Sequence, residues 1–190
     1  MNIFILSHQT DFDLHIREQA RSHCDKHVIK MITESVQMLS TALVQATDKR
    51  ILNLPQLPAT AAAYAKHPCT LWTGASLHNF VYLAHLALAL CDEKLHRWPL
   101  NGAHIYHPWI KHLCEALPSY WEVPDNFPVA IPDSLQATKL TGVNVNLQTA
   151  ADLYQRYYAT HKASFASWKS RATPVWFLLE SEIVNMKHGV

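Results

Sequence analysis

The sequence predicts a mostly α protein: a compact, single-domain helical bundle with one short N-terminal strand and a proline-rich irregular middle. Three observations predict it. Apolar residues recur at three- and four-residue spacing through long segments, the pattern of a helix that buries one face. Only a short run near the N-terminus has the unbroken apolar character of a buried strand. Pro99, Pro108, Pro118, Pro124, Pro128 and Pro132 crowd the stretch from Trp98 to Asn146, and each removes a backbone donor and fixes φ. With 190 residues, 49% hydrophobic and 16% charged, the chain can bury a large core and lacks the composition of a disordered one. Residues 1–190 are expected to form one domain, with 47–66 and 98–147 as loop-rich insertions.

In chain order, Asn2 to Leu6 reads as the strand, and Asp11 and Asp13 open a short helix through about Arg21. From about Asp25 to Ala46, Val28, Ile32, Val36, Leu39 and Leu43 form one apolar stripe, widened by Met31 and Met38. A loop punctuated by Pro55 and Pro58 follows, with an alanine-rich turn from Ala61 to Ala65. Pro68 suits the first turn of a helix, expected to run from about Thr70 to Arg97 with Leu77, Val81, Ala84, Leu88 and Leu95 inward. A short helix fits between Pro108 and Leu117. The last helix is expected from Thr149, as its cap, to about Trp168.

Composition excludes several functions. The four glycines, Gly74, Gly102, Gly142 and Gly189, are too scattered for a dinucleotide fingerprint or a P-loop. A net charge of +1 gives no global field toward a polyanion or an anionic membrane. The longest apolar run, Phe80 to Cys91, is too short to span a bilayer. MNIFILSHQTDFD has no basic segment and no cleavage site of a signal peptide. Cys24, Cys69, Cys91 and Cys114 form no CxxC pair, so free thiols in a reducing cytoplasm are expected.

Three segments carry candidate chemistry. In HCDKHVIKMITE, His23, His27, Lys30 and Glu34 follow at offsets of four, three and four, a polar stripe along a helix with Lys26 beside Lys30. These five are the candidate catalytic residues; the histidines could share a metal, or join the lysines around a phosphate. The blander reading is a half-exposed helix face with Glu34 paired to Lys30. In HPCTLWTGASLHNFVYLAH, Asn79 and Tyr82 share a face and are the candidate substrate-binding pair, while His85 in its apolar run reads as a core residue. The stretch from Asp152 to Phe177 sets Arg156, Lys162, Lys169 and Arg171 against a single acid, interleaved with Tyr154, Tyr157, Tyr158, Phe165, Trp168, Trp176 and Phe177. Cations for phosphates and flat rings for bases are the ingredients of nucleic-acid binding. Arg156, Tyr158, Lys162, Lys169, Arg171 and Trp176 are its candidate contacts; the alternative is that the rings pack and the cations are solvated. From Asp92 to Asp133 acids outnumber bases, so near-neutrality conceals an acidic middle and a basic end.

MNIFILS, HCDKHVIKMITESVQMLSTA, HPCTLW and RYYATHKASFASWKSRATPVWF together resemble a small family of phage-encoded proteins, with CDKHVIKM the most distinctive piece. The resemblance covers most of the chain except the loop around Lys49 to Thr60 and the proline-rich middle. It implies the cytoplasm of an infected bacterial host. More distantly, the order of elements is similar to the phage pyrimidine-dimer DNA glycosylases: a histidine-bearing first catalytic helix (His23 to Glu34), an aromatic second helix (Leu71 to Arg97) and a basic, Trp- and Tyr-rich end (Lys169 to Phe177). That family works through its N-terminal amine and a glutamate on the first catalytic helix. Here Met1 precedes the bulky Asn2, which hinders methionine removal, and the glutamate position holds Lys30, with Glu34 one turn on.

The leading expectation is therefore a DNA-binding enzyme acting on a nucleobase, either glycosylase-like or a base-modifying transferase, with no cofactor. The competing expectations are a non-catalytic module for nucleic acid or a host protein, and a metal-dependent hydrolase ligated by His23 and His27 with His67, His78 or His85.

Overall fold

The computed structural model describes residues 2–46, 49–57, 65–118, 121–132 and 143–188. The mostly helical class is as expected. Helices α1 (Phe12–Ser22), α2 (Asp25–Gln45), α3 (Lys49–Leu52), α4 (Pro68–Ala75), α5 (Leu77–Arg97), α6 (His107–Glu115), α7 (Leu147–His161) and α8 (Val175–His188) are joined by one small sheet. In that sheet β1 (Asn126–Pro128) pairs antiparallel with β2 (Asn144–Asn146), Phe127 opposite Val145. The centre is α2 against α5, flanked by α1, α4 and α6, with α7 and α8 packed on each other. The expected stripe of α2 is all core: Val28, Ile32, Val36, Leu39 and Leu43 are buried, as are Met31 and Met38. The alanine-rich turn at 61–65 lies, apart from Ala65, outside the described residues, as do Met1 and Asp133.

Three elements differ from expectation. Asn2 to Leu6 is not a β-strand. Ile3, Phe4, Ile5 and Leu6 are buried, but side chains replace a neighbouring strand. The Asn2 amide donates to Glu34 Oε2 (3.2 Å), the Leu6 amide to Gln19 Oε1 (2.7 Å), and Gln155 Nε2 donates to the Leu6 carbonyl (3.1 Å). These bonds satisfy buried backbone groups that a sheet would otherwise have to pair.

The expected helix from Thr70 to Arg97 is two helices, α4 and α5, bent by 116°. Ser76 takes an extended conformation and its side chain accepts the Asn79 amide, so a capping serine ends one helix and starts the next. Leu95 is exposed on α5, not inward. The last expected helix begins two residues early, capped by Asn146, whose side chain accepts the Thr149 amide. It stops at His161, and a separate helix, α8, follows Pro174. No single helix among the described residues is long and apolar enough to cross a membrane.

Candidate nucleic-acid interface

The N-terminal half of α2 and the C-terminal end of α7 form an edge where cations stand over aromatic rings. Lys26 Nζ lies 4.6 Å from the centre of the Phe165 ring, and Lys162 Nζ lies 4.7 Å from the centre of Tyr157 and 5.9 Å from that of Phe165. The Tyr157 ring is also nearly parallel to Phe4 (6.2 Å, 14°) and to His161 (5.1 Å, 30°). One turn along α2, Lys30 Nζ pairs with Glu34 Oε1 at 3.1 Å, the lysine well exposed and the carboxylate largely covered. Glu34 also accepts the Asn2 amide. Arg156 is exposed on α7. Lys26, Lys30 and Arg156 are thus exposed, and Lys162 is half-buried.

The two histidines of the expected stripe do not. His23 is the C-cap residue of α1, outside α2, so it does not continue the helical stripe. It is 1% exposed, and its Nδ1 bonds the Gln19 carbonyl at 2.6 Å. Burial drives His23 down to about 4, partly opposed by that bond. His27 is likewise buried, stacked on Phe4 (4.7 Å, 11°) with Nδ1 hydrogen-bonded to the Tyr158 hydroxyl. Burial, followed by the charges of His23, Lys162 and Lys30, pushes it down to about 3. Both rings are therefore neutral at physiological pH.

Other expected contacts are structural. Tyr158 is wholly buried, so it cannot stack on a nucleic acid. Tyr82 is equally buried, with its hydroxyl against His15 Nε2 (3.0 Å) and accepting from Gln19 Nε2 (3.3 Å). Neither substrate-binding candidate is free, since Asn79 Nδ2 donates to the Trp72 carbonyl (2.8 Å) and clamps the α4–α5 corner. Trp176 is half-buried, its ring edge-on to Tyr158 and to Phe177, and its indole N–H lies inside without a partner. Lys169 is exposed, with Nζ 6.0 Å from the Trp98 ring.

Arg171 belongs to a feature the sequence did not disclose, a relay of charged groups at the start of α2. Arg97, among the largest fully buried side chains, donates from Nε to Glu93 Oε1 (2.7 Å), from Nη1 to Asp25 Oδ1 (2.9 Å) and from Nη2 to the Arg21 carbonyl (2.9 Å). Arg171 grips the same Glu93 through Nε (2.9 Å) and Nη2 (2.8 Å). Asp25 accepts in addition from Ser167 Oγ (2.8 Å) and the Lys169 amide (3.0 Å). Trp168 Nε1 donates to the Ser22 carbonyl (3.1 Å). The segment following α7 is thereby tied to the start of α2. Burial alone would raise Glu93, but hydrogen bonds from Arg171 and Arg97 outweigh it and hold its carboxyl below the usual range. The acidic middle and the basic end thus partly neutralise each other: Glu93 binds Arg171. The i,i+4 spacing of Glu93 and Arg97 was the one local signal for the relay.

The metal reading loses its ligands. Among the described residues no group of three or more His, Cys, Asp or Glu side chains is placed to hold a metal ion. His67 caps α4 by accepting the Cys69 amide, His78 bonds the Glu122 carbonyl, and His85 sits edge-on to Phe12. No family model matches the chain, and neither a curated protein nor a solved structure matches it.

Proposed function

We propose that this chain is a phage-type DNA-binding enzyme that acts on a nucleobase at the α2–α7 edge. The observation that carries the reading is the pair of lysine ammonium groups, Lys26 and Lys162, held over Phe165 and Tyr157 beside the Lys30–Glu34 pair. A cation over a ring is retained weakly, by roughly 0.5–1 kcal/mol at an exposed site. Phosphate oxygens can therefore draw the ammonium groups away and leave the ring faces to bases, since every base has a π-face and stacking tolerates any sequence. Glu34, largely covered beside Lys30, is the carboxylate at this edge able to move a proton. A glycosylase using Lys30 as nucleophile is less well supported. Amine nucleophiles are activated by desolvation or a like-charged neighbour, whereas Lys30 is exposed and faces a carboxylate. The structural use of His23 favours a second reading, a nucleic-acid module without catalysis.

Binding to plain, ultraviolet-irradiated and thymine-modified DNA at two salt concentrations, with borohydride present, tests this. Three lysine–phosphate contacts to a single strand give a slope of about −2 in log K against log[salt]. Lys26→Ala or Lys162→Ala lowers its magnitude by roughly one contact's share. Salt-sensitive binding without a trapped adduct, together with altered bases on a modified substrate, is the expected result. A borohydride adduct transfers the assignment to amine chemistry, unaltered bases leave the binding module, and no binding to any substrate ends the proposal.

A further inference from the structure

His27 sits beneath this edge with one side of its ring still uncommitted. Phe4 stacks on it, and Tyr158 (5.0 Å) and Phe165 (5.9 Å) meet it edge-on. Nδ1 is taken by the Tyr158 hydroxyl. Among the described residues Nε2 has no hydrogen-bond partner, yet it is not one of the side-chain atoms buried without one. Among the described residues those are His85 Nε2, Trp176 Nε1 and Ser181 Oγ. Nε2 is therefore not sealed from the surface, although His27 as a whole is only 5% exposed. Lys30 and Lys162 both act on the ring, and Lys26 stands over the Phe165 that borders it.

The direction of the buried bond decides what Nε2 carries. Burial raises the Tyr158 hydroxyl well above its ordinary range, so it keeps its proton. Its neighbours are the His27 imidazole and the Cys24 thiol. A thiol sulfur is a weak acceptor, while an imidazole nitrogen is a good one. Donation from Tyr158 to Nδ1 is therefore favoured over donation to the Cys24 sulfur, and it places the single proton of the neutral ring on Nε2.

We propose that His27 is a fixed, uncharged hydrogen-bond donor of the nucleic-acid site: Tyr158 locks it as the Nε2–H tautomer, and Nε2–H meets a phosphate oxygen of the bound strand among Lys26, Lys30 and Lys162. The role rests on the reading of this edge as a nucleic-acid site. The lysines supply charge on flexible stems, whereas the packed imidazole supplies one donor of set direction that needs no reorganisation when the anion arrives. Its part is then to position and stabilise an anionic oxygen, not to take up a proton.

Nitrogen-15 NMR of the imidazoles, recorded at about pH 5 and about pH 8 with and without a short thymidine oligonucleotide, tests the tautomer and the contact separately. The expected result is an Nε2–H tautomer at both pH values whose signal shifts when the strand binds. An Nδ1–H tautomer, or a His27 that titrates between those values, overturns the proposal. So does a correct tautomer that ignores a strand bound in a Lys26- and Lys162-dependent way. If the intact protein binds no strand at any salt concentration, the nucleic-acid reading itself has failed, and this role fails with it. Substitution gives a second readout. His27→Phe keeps the stacked ring without the donor and weakens binding about tenfold, the size of a hydrogen bond to a charged group. His27→Gln, which restores an N–H at the same reach, recovers most of it, and equal losses in both variants count against the donor role.

Discussion

Asp25 and Lys26 are adjacent in the chain and belong to opposite regimes of electrostatics. Asp25 joins Arg97, Glu93 and Arg171 in a relay where the charges are covered and matched by directed hydrogen bonds. Lys26 lies on the open edge with only a ring beneath its ammonium group. Lys169 and Arg171 repeat the contrast two residues apart: the Lys169 amide serves Asp25 while its side chain is exposed, and the Arg171 guanidinium turns inward to Glu93. The comparison teaches that local charge density in this chain is not one resource. Covered charges fix the segment after α7 against α2, and that fixation holds Phe165 beside Lys26 and Lys162. Open charges, loosely held, remain available to an anion.

The contrast breaks most visibly at Arg97. Arg97→Ala leaves Asp25 and Glu93 without their central partner, and truncating one member of a buried ion pair costs about 3–5 kcal/mol. Urea unfolding should report a loss of that size. A loss under about 1 kcal/mol would place the relay among surface pairs, whose individual worth is small, and erase the distinction between the two regions.

Acid separates the buried groups by window. His15 and His23 are held at about 4 and His27 at about 3, in each case mainly by burial. The unfolded chain binds protons near the ordinary value of 6.5 while the folded chain does not, so the sign is destabilising as pH falls. Stability is full above about pH 7, and by pH 5 the loss is about 2 kcal/mol for each of these histidines. Glu93 acts lower. Its depressed carboxyl contributes stability above the usual value of 4.5 and loses it as pH falls further. Urea midpoints between pH 7.5 and pH 5, with His23→Gln removing about 2 kcal/mol of the decline, check the assignment. A flat profile would mean that the three rings take up protons without cost.

How far these regions were legible in the sequence follows from the reach of their partners. The α2 stripe was readable because helical periodicity is local, and Lys26 and Lys30 were readable because exposure needs no partner. Tyr158 read as a stacking platform because its partner, His27, lies 131 residues away. Arg171 read as a phosphate contact because Glu93 lies 78 residues before it. The N-terminal run was correctly read as buried, but not as a strand. Its missing ladder could not be anticipated, since Gln19, Glu34 and Gln155 come to it from three helices. Burial of a polar group is a tertiary fact, and a charge-and-ring pattern cannot distinguish a group that waits for a ligand from one already satisfied.

The finest separation lies at the open edge itself. Lys26→Ala and Lys162→Ala remove only cation–π contacts at the protein surface, so each should cost no more than about 0.5–1 kcal/mol of stability, against the much larger loss at Arg97. Their effect on DNA affinity should nevertheless be plain at low salt and fade as salt rises, because each deletes one phosphate neutralisation. Phe165→Leu sharpens the point: it keeps apolar volume, removes the ring beneath Lys26, and should weaken single-strand binding while leaving the salt slope unchanged. Measuring slope and affinity together assigns each side chain of the edge to charge or to stacking. A Phe165→Leu variant that altered the slope, or a lysine variant that altered stability as strongly as Arg97→Ala, would mean that the open edge and the covered relay act as one structural unit.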